Sequence, residues 1–508
     1  MKFAKVNSVA VVGLTPHLID VEVNIESKAL PRFEIVGLPG KAVEESRERV
    51  RSAIKAAGFQ FPNQKIIVNL APADIRKEGP IYDLSIALGV LVASEQLLQA
   101  AIYNHVFLGE LSLSGDIRGI HGVLPASVYC HQNNLTMVAP IANLSELEIV
   151  KGLTYVATNS LAELTEFLNN EERAYDQASG KNPISTKSTS DKLDFKYIHG
   201  QELAKRAIEI AAAGGHNILL DGPPGCGKSL LAKAFPTILP DLNHAEQLEV
   251  SSIHSIVGLN RGGILSTRPV RSPHHSISKA GLIGGGSNIK PGEISLAHRG
   301  VLYLDEFPEF PRSALESLRQ PIEDGEVTIS RVMGNITFPA KFMLVASQNP
   351  CPCGYYGTNI KACRCSLSAV NRYRARVSGP LIDRIDMFIS LDPVKIEKLL
   401  NFDNNNHSEP SVSIRKRVKS ARILQEQRFA GSSVITNSEI PVTKVKNFCA
   451  IDNTAKSILT DAGNSYKLSA RAISRILKVA RTIADLEGSS DITSDHIAEA
   501  LQYRKMEH

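Results

Sequence analysis

The sequence predicts a multidomain α/β protein. Two polar seams divide its 508 residues into three blocks. The middle block alternates short apolar strands with helices around phosphate-binding motifs, and the last block is patterned as helices almost throughout. At ~150 residues per domain, the length agrees with three or four domains. The 43% hydrophobic content is enough for several cores.

The first block, residues 1–168, mixes both kinds of local pattern. Short apolar segments at residues 9–12, 18–25 and 66–70 predict strands. Residues 41–57 are charged and contain alanine, and their apolar side chains recur at helical spacing, which predicts a helix. We therefore expect an α+β domain here.

Two seams rich in polar and turn-forming residues mark the expected domain boundaries. Residues 169–193 contain few large apolar side chains and are interpreted as a linker. Residues 194–400 form the α/β block. The block 401–508 opens with the second seam and continues with helical patterns. The helices predicted in it span residues 413–429, 442–452, 454–463, 470–487 and 494–503.

Composition excludes several classes of protein. Lys and Arg number 57 against 52 Asp and Glu, and this excess is too mild to demand a polyanionic partner. No apolar run approaches the ~20 residues that cross a bilayer, and the first apolar stretch is shorter than a secretory signal. We expect a soluble, cytoplasmic protein with no membrane partner. Seven cysteines are too few for a disulfide framework at this length.

The most specific motif is a glycine-rich loop between an apolar strand, residues 217–221, and a helix, residues 230–235. Its glycines let backbone N–H groups turn toward the phosphates of ATP, while a plain glycine-rich turn is the alternative. Lys228 is expected to reach the β- and γ-phosphates, and Ser229 to ligate Mg²⁺. The residues that fit G-x-x-x-x-G-K-[ST] are Gly222, Pro223, Pro224, Gly225, Cys226, Gly227, Lys228 and Ser229.

Polar residues follow the next two apolar strands, residues 301–304 and 342–347. Sheets of this class place ligands at the carboxyl ends of their strands. Asp305 is expected to complete the Mg²⁺ shell, and Glu306 to orient and deprotonate the attacking water. Asn349 is expected to polarise that water or to sense the γ-phosphate. The alternatives are an acidic pair that caps a loop and an Asn-Pro turn.

Together these motifs resemble an AAA+ ATPase, and more narrowly the magnesium-chelatase-like ComM/YifB family. The resemblance spans nearly the whole chain and implies an αβα P-loop core with a helix-two insert, followed by a C-terminal helical lid. It also implies a Lon-protease-like (ribosomal S5 domain 2-like) fold for the first block. The segments that carry it are residues 69–74, 77–81, 108–119, 271–276, 284–287, 291–298, 300–310, 349–357 and 378–386.

The same resemblance bears on peptidase chemistry in the first block. Lon-like peptidases need a nucleophilic serine and a lysine that activates it. Aligned by motif, Ile81 stands where that serine would be, and Leu124 stands near the lysine position. Neither side chain can do this chemistry. We therefore interpret the domain as a scaffold or a DNA-guiding collar without a catalytic dyad.

The resemblance places Arg384 at the arginine-finger position, which reaches the γ-phosphate on a neighbouring subunit. It places Arg471 at a second arginine sensor on the lid, with Arg475 one turn later as the rival. The alternative for Arg384 is a local ion pair with Asp383 or Asp386. An arginine supplied by a neighbour stabilises transition-state charge and implies a ring, which we expect to be a homo-hexamer.

A basic segment suggests DNA as the partner. Residues 250–292 contain no Asp or Glu and many glycines, which suits a phosphate backbone, although a solvated loop is the alternative. A hairpin expected at residues 327–338, with a Gly-Asn turn, adds a basic flank. The basic run at residues 415–422 is more typical of a solvated helix face. The candidate DNA-binding residues are Arg261, Arg268, Arg271, Lys279, Lys290 and Arg331.

Four of the seven cysteines form two C-x-C pairs within fifteen residues. Tetrahedral Zn²⁺ needs four converging thiolates, and two such pairs joined by a short loop can supply them. Free thiols or a redox pair are the alternatives. The cluster directly follows Asn349, so a structural metal would brace that loop. The candidate zinc ligands are Cys351, Cys353, Cys363 and Cys365.

The function that this pattern favours is a ring-forming ATPase that couples ATP hydrolysis to movement along DNA. Helicase activity, with branch migration in homologous recombination or natural transformation, is implied by the family resemblance alone. Three alternatives stay open: a magnesium-chelatase-like metal-insertion motor, an ATP-dependent protease or unfoldase component, and a nucleotide-gated scaffold.

Overall fold

The structure is a computed structural model, and the chain divides into two compact units. The first unit comprises Met1–Lys187 and His244–Ser266, and the second comprises Ser188–Asn243 and Thr267–His508. The residues that the structure describes are 2–27, 29–170, 174–180, 193–260, 263–286, 289–331, 334–359, 361–393 and 409–504.

The first unit is built on an eight-stranded mixed sheet with the order β10-β9-β8-β5-β1-β2-β4-β3. Strands β1 and β2 form a long antiparallel pair, and β5, β8 and β9 run parallel to one another. A short ribbon of β6 and β7 stands beside the sheet. The strands are β1 Lys2–Val12, β2 Thr15–Glu26, β3 Arg32–Val36, β4 Lys65–Ala71, β5 His105–Phe107, β6 Glu110–Leu111, β7 Ile117–Arg118, β8 Thr136–Pro140, β9 Thr154–Thr158 and β10 Asp176–Gln177.

Helices cover this sheet and supply its core. The helix Asp83–Ala93 is buried along its whole length because it packs against the long β1–β2 pair. The predicted helix at residues 41–57 is confirmed, but it is interrupted at Glu45. The α-helices of the first unit are Lys41–Glu44, Ser46–Ala56, Asp83–Ala93, Val123–Gln132, Leu144–Leu147, Leu161–Asn169 and His244–Ile256, and its 3₁₀ helices are Pro80–Tyr82, Gln99–Ile102 and Ile141–Asn143.

The segment His244–Ser266 belongs to the first unit although it follows the glycine-rich loop in sequence. Ile264 is buried in the same apolar cluster as Leu124, on the helix Val123–Gln132. Ser255 donates a hydrogen bond to the buried carboxylate of Glu146 and accepts one from the backbone of Gly122. The sequence predicted that residues 250–292 form one flexible basic insert. That prediction is wrong for residues 250–260 and 263–266, because apolar contacts and buried hydrogen bonds fix them in the first unit.

The second unit contains a five-stranded parallel sheet with the order β12-β15-β18-β11-β19. Its central strands are buried on both faces, as expected for a parallel sheet covered by helices. The parallel-sheet core predicted from the sequence is confirmed. The strands of this unit are β11 Ile218–Asp221, β12 Val270–Arg271, β13 Gly284–Gly285, β14 Lys290–Pro291, β15 Val301–Leu304, β16 Glu326–Arg331, β17 Gly334–Pro339, β18 Met343–Gln348 and β19 Met387–Ser390.

The end of the chain is helical, as predicted. The helix Ala470–Glu487 has the predicted bounds because both ends carry strong signals. The Ser469 side chain caps its first turn, and Gly488 ends it with a positive φ of 71°. Segment 442–452, predicted as one helix, instead holds two short pieces, Val442–Lys444 and Val445–Phe448.

Helices make up much of the second unit besides its strands. Within the described ranges, every helix is too short or too polar to cross a bilayer. The α-helices are Glu202–Gly214, Lys228–Ala234, Lys279–Ile283, Glu293–Leu296, Arg312–Ser317, Arg319–Asp324, Leu367–Arg374, Gly379–Ile382, Ser411–Arg428, Val445–Phe448, Asn453–Ser465, Ala470–Glu487 and Ser494–Gln502, and the 3₁₀ helices are Phe195–Tyr197, Phe235–Thr237, Phe307–Glu309, Asn437–Glu439 and Val442–Lys444.

The hairpin predicted at residues 327–338 is present, but its turn is not where the sequence suggested. Gly334 and Asn335 lie in β17, opposite Arg331 and Ser330. Residues 332–333, between the two strands in sequence, lie outside the described residues. The backbone of Arg331 is placed at the end of β16.

We predict that Ser255→Ala will loosen the helix His244–Ile256. The substitution removes one donor from the buried Glu146 carboxylate, and losing a partner of a buried polar group costs roughly 1–3 kcal/mol. Hydrogen exchange measured by mass spectrometry should show faster exchange in this helix. Ser252→Ala, on the same helix but at a partly exposed position, is the matched control. Equal exchange in the two variants would contradict the prediction.

Candidate nucleotide-binding site

The glycine-rich loop connects β11 to the helix Lys228–Ala234. Gly225 and Gly227 have φ values of 81° and 96°, which side chains other than glycine rarely adopt. A Cβ atom added at either residue would meet no heavy atom within 4 Å, so the loop backbone borders open space. Such a cradle fits phosphate groups, because backbone N–H groups and the helix N-terminus favour negative charge there.

The Lys228 ammonium lies within this loop. Its Nζ donates to the carbonyl oxygen of Pro223 at 2.9 Å and to Asn349 Oδ1 at 3.1 Å. Asn349 follows β18, which lies beside β11 in the sheet. The structure therefore brings together the cation and the amide that the sequence placed 121 residues apart.

Asp305 joins the ends of the central strands. Its Oδ2 accepts a hydrogen bond from Ser229 Oγ at 3.3 Å, and its Oδ1 accepts one from Ser347 Oγ. The Ser229 hydroxyl and the Asp305 carboxylate are thus adjacent oxygen donors, the ligand type that Mg²⁺ prefers. These two residues would hold the Mg²⁺ of a bound ATP.

Glu306 projects beside this pair into solvent. It has a positive φ of 52°, uncommon for a residue with a side chain and typical of functional sites. The carboxylate is about half exposed, and its Oε2 lies 3.3 Å from His275 Nδ1. An exposed carboxylate at a strand end can accept a proton from a water molecule.

These groups line one cavity of about 340 Å³. The cavity combines the loop cation, two carboxylates and a neutral amide, which are the groups needed to bind a triphosphate with its metal and to activate water. The sequence-predicted residues that line it are Pro224, Gly225, Cys226, Gly227, Lys228, Ser229, Asp305, Glu306 and Asn349.

Comparisons with known proteins agree with this geometry. The family model "Magnesium chelatase, subunit ChlI" matches residues 194–399, and its C-terminal model matches residues 408–504. A further model, "Subunit ChlI of Mg-chelatase", matches residues 21–143. Competence protein ComM of Haemophilus influenzae is 41% identical, with all of this chain and 98% of that protein aligned. The chain belongs to the ComM/YifB family.

Other relatives differ in how much of this ComM/YifB family member they match. The uncharacterized protein YifB of Escherichia coli is 40% identical over all of this chain and 98% of its own length. The magnesium-chelatase 38 kDa subunit of Rhodobacter capsulatus is 30% identical, but over only 31% of this chain and 50% of its own. Membership of this family agrees with an AAA+ ATPase that uses ATP and Mg²⁺.

Neither Arg384 nor Arg471 is among the described residues that line the nucleotide cavity. Both instead contact Glu323. Arg384 forms a close ion pair with Glu323 Oε2, and Arg471 Nη2 lies 3.4 Å from Glu323 Oε1. Arg384 also donates to the carbonyl oxygen of Pro380 at 2.7 Å. The local ion pair considered for Arg384, with Asp383 or Asp386, is wrong in its partner. The pair is with Glu323, while Asp383 lies 4.0 Å from Arg504 and Asp386 pairs with Arg475.

Arg475, the rival of Arg471, has a structural contact. It forms a close ion pair with the buried carboxylate of Asp386. Asp386 also accepts a hydrogen bond from the backbone N–H of Asn217 at 2.9 Å. Burial alone would raise the pKa of Asp386, but Arg475 and the nearby His216 hold it below its ordinary value. Arg475 therefore neutralises a buried charge, whereas the side chain of Arg471 is 63% exposed.

The four clustered cysteines converge as predicted. Their sulfur atoms all lie within 4.8 Å of one another, and three pairs are 3.4, 3.5 and 3.7 Å apart. Tetrahedral zinc with Zn–S bonds of 2.3 Å sets sulfur atoms about 3.8 Å apart, so the cluster fits this ion. Backbone N–H groups of Arg364 and Tyr355 lower the pKa of Cys353 to about 6.

The predicted DNA-binding residues differ in whether their side chains are already bonded within the protein. Arg268 donates to the backbone carbonyl oxygens of Pro240 and Arg299, and Arg271 forms a bidentate pair with Glu293. Both side chains therefore bond to groups within the second unit. Lys279 and Lys290 are exposed. Arg261 and the side chain of Arg331 lie outside the described residues.

The basic run at residues 415–422 is largely engaged within the second unit. Arg415 pairs with Asp241, and Arg417 pairs with Glu209 and Glu409. Arg422 is buried and donates to a backbone carbonyl oxygen at 2.8 Å. The solvated face expected for this run is wrong for these three arginines, because each contacts a partner within the second unit. The same contacts leave them less available to DNA.

Sequence reasoning missed three residues of the site. Ser347 bonds to Asp305, His275 contacts Glu306, and Glu323 holds both candidate arginines. Ser347 could have been found, because it is the next-to-last residue of β18, the strand that directly precedes Asn349. His275 and Glu323 carry no local signal, since only folding brings them to their partners.

We predict different effects for alanine at the two lid arginines. Arg475→Ala should lower the free energy of unfolding by roughly 3–5 kcal/mol, because it leaves the Asp386 charge buried without its partner. Arg471→Ala should change stability by no more than about 0.5 kcal/mol and should lower the rate of ATP hydrolysis. Urea unfolding and steady-state ATPase assays measure both effects. A destabilised Arg471→Ala with unchanged specific activity would contradict the assignment.

Proposed function

We propose that this protein is a ring-forming AAA+ ATPase that couples ATP hydrolysis to translocation along DNA. The observation that carries the proposal is the cavity that joins Lys228, Asp305, Glu306 and Asn349. The full-length relationship to a competence protein supports DNA as the substrate. On this basis we propose a helicase that promotes branch migration in homologous recombination during natural transformation.

The proposed roles follow from position. Lys228 and the loop backbone bind the phosphates, and Ser229 and Asp305 hold Mg²⁺. Glu306 takes the proton of the attacking water, and Asn349 orients that water or contacts the γ-phosphate. An Mg²⁺ ion held by Ser229 and Asp305 would supply positive charge next to the phosphate oxygens.

We propose that Arg384 and Arg471 act on the nucleotide of a neighbouring subunit. Both lie at Glu323 and outside their own chain's cavity, as far as the described residues show. A triphosphate offers more negative charge than one carboxylate, so it can draw both guanidinium groups from Glu323 when subunits meet. This arrangement supports a closed ring, and we propose a homo-hexamer.

Coupling to DNA needs a path from a binding segment to the hydrolytic residue. His275 offers one, because it contacts Glu306 and follows β12 in the acid-free basic stretch. Lys279 and Lys290, both exposed, remain the proposed DNA contacts of that stretch together with Arg261 and Arg331. A shift of this segment on binding DNA would change the surroundings of the Glu306 carboxylate.

The two main alternatives are less well supported. The magnesium-chelatase relative aligns with only 31% of this chain, whereas the competence protein aligns with all of it. This difference favours a function on DNA over metal insertion. For a protease, the first unit would need a nucleophile at the Lon-like position. Ile81 is apolar, and Leu124 is fully buried in an apolar cluster.

We also propose a domain division at residues 1–168, 169–193, 194–400 and 401–508, with a Lon-protease-like first domain that acts as a scaffold or DNA-guiding collar. Within the ATPase domain, we propose that Cys351, Cys353, Cys363 and Cys365 hold a structural Zn²⁺. The ion would fix the loop that begins at Asn349, because Cys351 follows that residue by two positions.

We predict that Glu306→Gln will bind ATP with normal affinity but hydrolyse it about 10²–10⁴ times more slowly, since general-base catalysis contributes that much. The matched control is Glu309→Gln, at an acidic residue that ends the 3₁₀ helix directly after Glu306 and pairs with Arg376. ATPase rates of the wild type should be measured without DNA and with single strands, duplex and a four-way junction. Identical rates in all four conditions would remove translocation from the proposal.

We predict that the purified protein will contain zinc and that Cys363→Ser will lose most of it, because three thiolates bind zinc less tightly than four. Elemental analysis and zinc titration measure the change. Cys130→Ala, at a buried cysteine of the first unit, should keep the metal. A wild-type protein that neither contains zinc nor takes it up would refute the metal site.

A further inference from the structure

The first unit contains a second cavity, of about 320 Å³, at the edge of its sheet. One wall is β3, which ends the eight-stranded order and pairs with β4 on one side only. The opposite wall is the helix Ser46–Ala56, and residues just before β4 close the base. The lining is unusual in composition because it combines three guanidinium groups with two aromatic rings.

The two rings are Phe33, on β3, and Phe61, on the segment before β4. Their centroids are 5.6 Å apart with an interplanar angle of 46°. Both residues are partly buried and pack against the apolar core of the first unit. The core therefore fixes the rings, while each keeps an accessible part in the cavity.

The charges lie on the facing helix. Arg47 and Arg51 are exposed, lie one turn apart and line the cavity. Arg51 places its guanidinium carbon 5.2 Å from the Phe61 centroid. Arg47 donates to the backbone carbonyl oxygen of Glu44 at 3.0 Å. Among the ion pairs of the described residues, none includes Arg47 or Arg51, whereas Arg32 pairs with Glu34 at 2.7 Å.

Electrostatic repulsion between these arginines destabilises the arrangement in the unbound protein, and a bound anion would relieve it. Like charges four residues apart repel one another on a helix, and Lys55 extends the same stripe by a further turn. The one acidic residue in the lining, Glu48, leaves the cavity with an excess of positive charge. A ligand with several phosphates removes the repulsion, and a ligand with bases can also stack on the rings.

We propose that this cavity binds single-stranded DNA, with a base stacked on Phe61 or Phe33 and the backbone phosphates paired with Arg47 and Arg51. Stacking on the rings requires unpaired bases, which duplex DNA does not offer. The inference rests on the proposed function for its choice of DNA as ligand. It adds a site outside the ATPase core that would hold a strand without regard to sequence.

The test uses the full-length protein and three labelled probes of equal length: oligo(dT), an abasic strand and a duplex. Fluorescence anisotropy should show oligo(dT) bound most tightly. Phe61→Leu keeps the apolar bulk but removes the ring, and it should weaken oligo(dT) binding by about 5- to 150-fold, the range for loss of one stacked base. It should leave abasic-strand binding nearly unchanged. Arg47→Gln with Arg51→Gln should weaken both single strands and flatten the salt dependence.

Two control variants separate binding from folding. Phe59→Leu alters a partly buried ring of the same core that does not line the cavity, and Arg118→Gln removes an exposed arginine of the same unit. Neither should change binding. Photocrosslinking with 5-iododeoxyuridine oligonucleotides should label the peptides that contain Phe33 or Phe61.

The outcomes distinguish this inference from the proposed function. If Phe61→Leu and the double arginine variant bind oligo(dT) like the wild type and crosslinks map elsewhere, while DNA still stimulates the ATPase, the cavity inference is wrong and the proposed function stands. If the wild type binds none of the probes and its ATPase ignores DNA, both fail. Equal competition by thymidine monophosphate at matched nucleotide concentration would show a site for free nucleotides and would also overturn the single-strand assignment.

Discussion

The parallel register of the five-stranded sheet is the constraint on which the nucleotide site depends. β18 pairs with β15 on one side and with β11 on the other, so the carboxyl ends of all three strands lie at one edge. The residues that follow these strands therefore converge: Ser229 after β11, Asp305 after β15 and Asn349 after β18. The Asp305 carboxylate accepts hydrogen bonds from Ser347, on the adjacent β18, and from Ser229, in the helix that follows β11, so it links β15 to both β18 and the phosphate loop.

Because that edge is set by local patterns, much of it could be predicted from the sequence. Buried apolar runs mark the strands, and the glycine-rich loop has few conformations open to it. The partners of the predicted residues were harder to find. Glu323 is 61 residues from Arg384 and 148 from Arg471, and no periodicity links them. The segment His244–Ser266 shows the same limit, because it belongs to the first unit although it follows the phosphate loop of the second in sequence.

Burial separates residues that are equivalent in sequence. Arg471 and Arg475 lie one turn apart on the helix Ala470–Glu487, and both have the charge that a sensor needs. Only Arg475 meets a buried carboxylate, and removing it would leave Asp386 as an uncompensated charge. Arg471 contacts an exposed partner that solvent already screens, so it can leave that partner at little cost. Arg471 can therefore leave Glu323 for a nucleotide at less cost than Arg475 can leave Asp386.

Basic residues also differ in how much of their charge the fold leaves available for DNA. By composition, the acid-free stretch 250–292 is the strongest candidate for binding DNA. Its residues Arg268 and Arg271 nevertheless form hydrogen bonds within the second unit. Arg47 and Arg51 lie in a stretch that also contains glutamates, so the net charge of that stretch does not reveal them as candidates. Their side chains nevertheless face a cavity with aromatic rings and make no ion pair within the described residues. Binding a polyanion depends on cations that the fold has not already neutralised, and only the side-chain contacts show which cations those are.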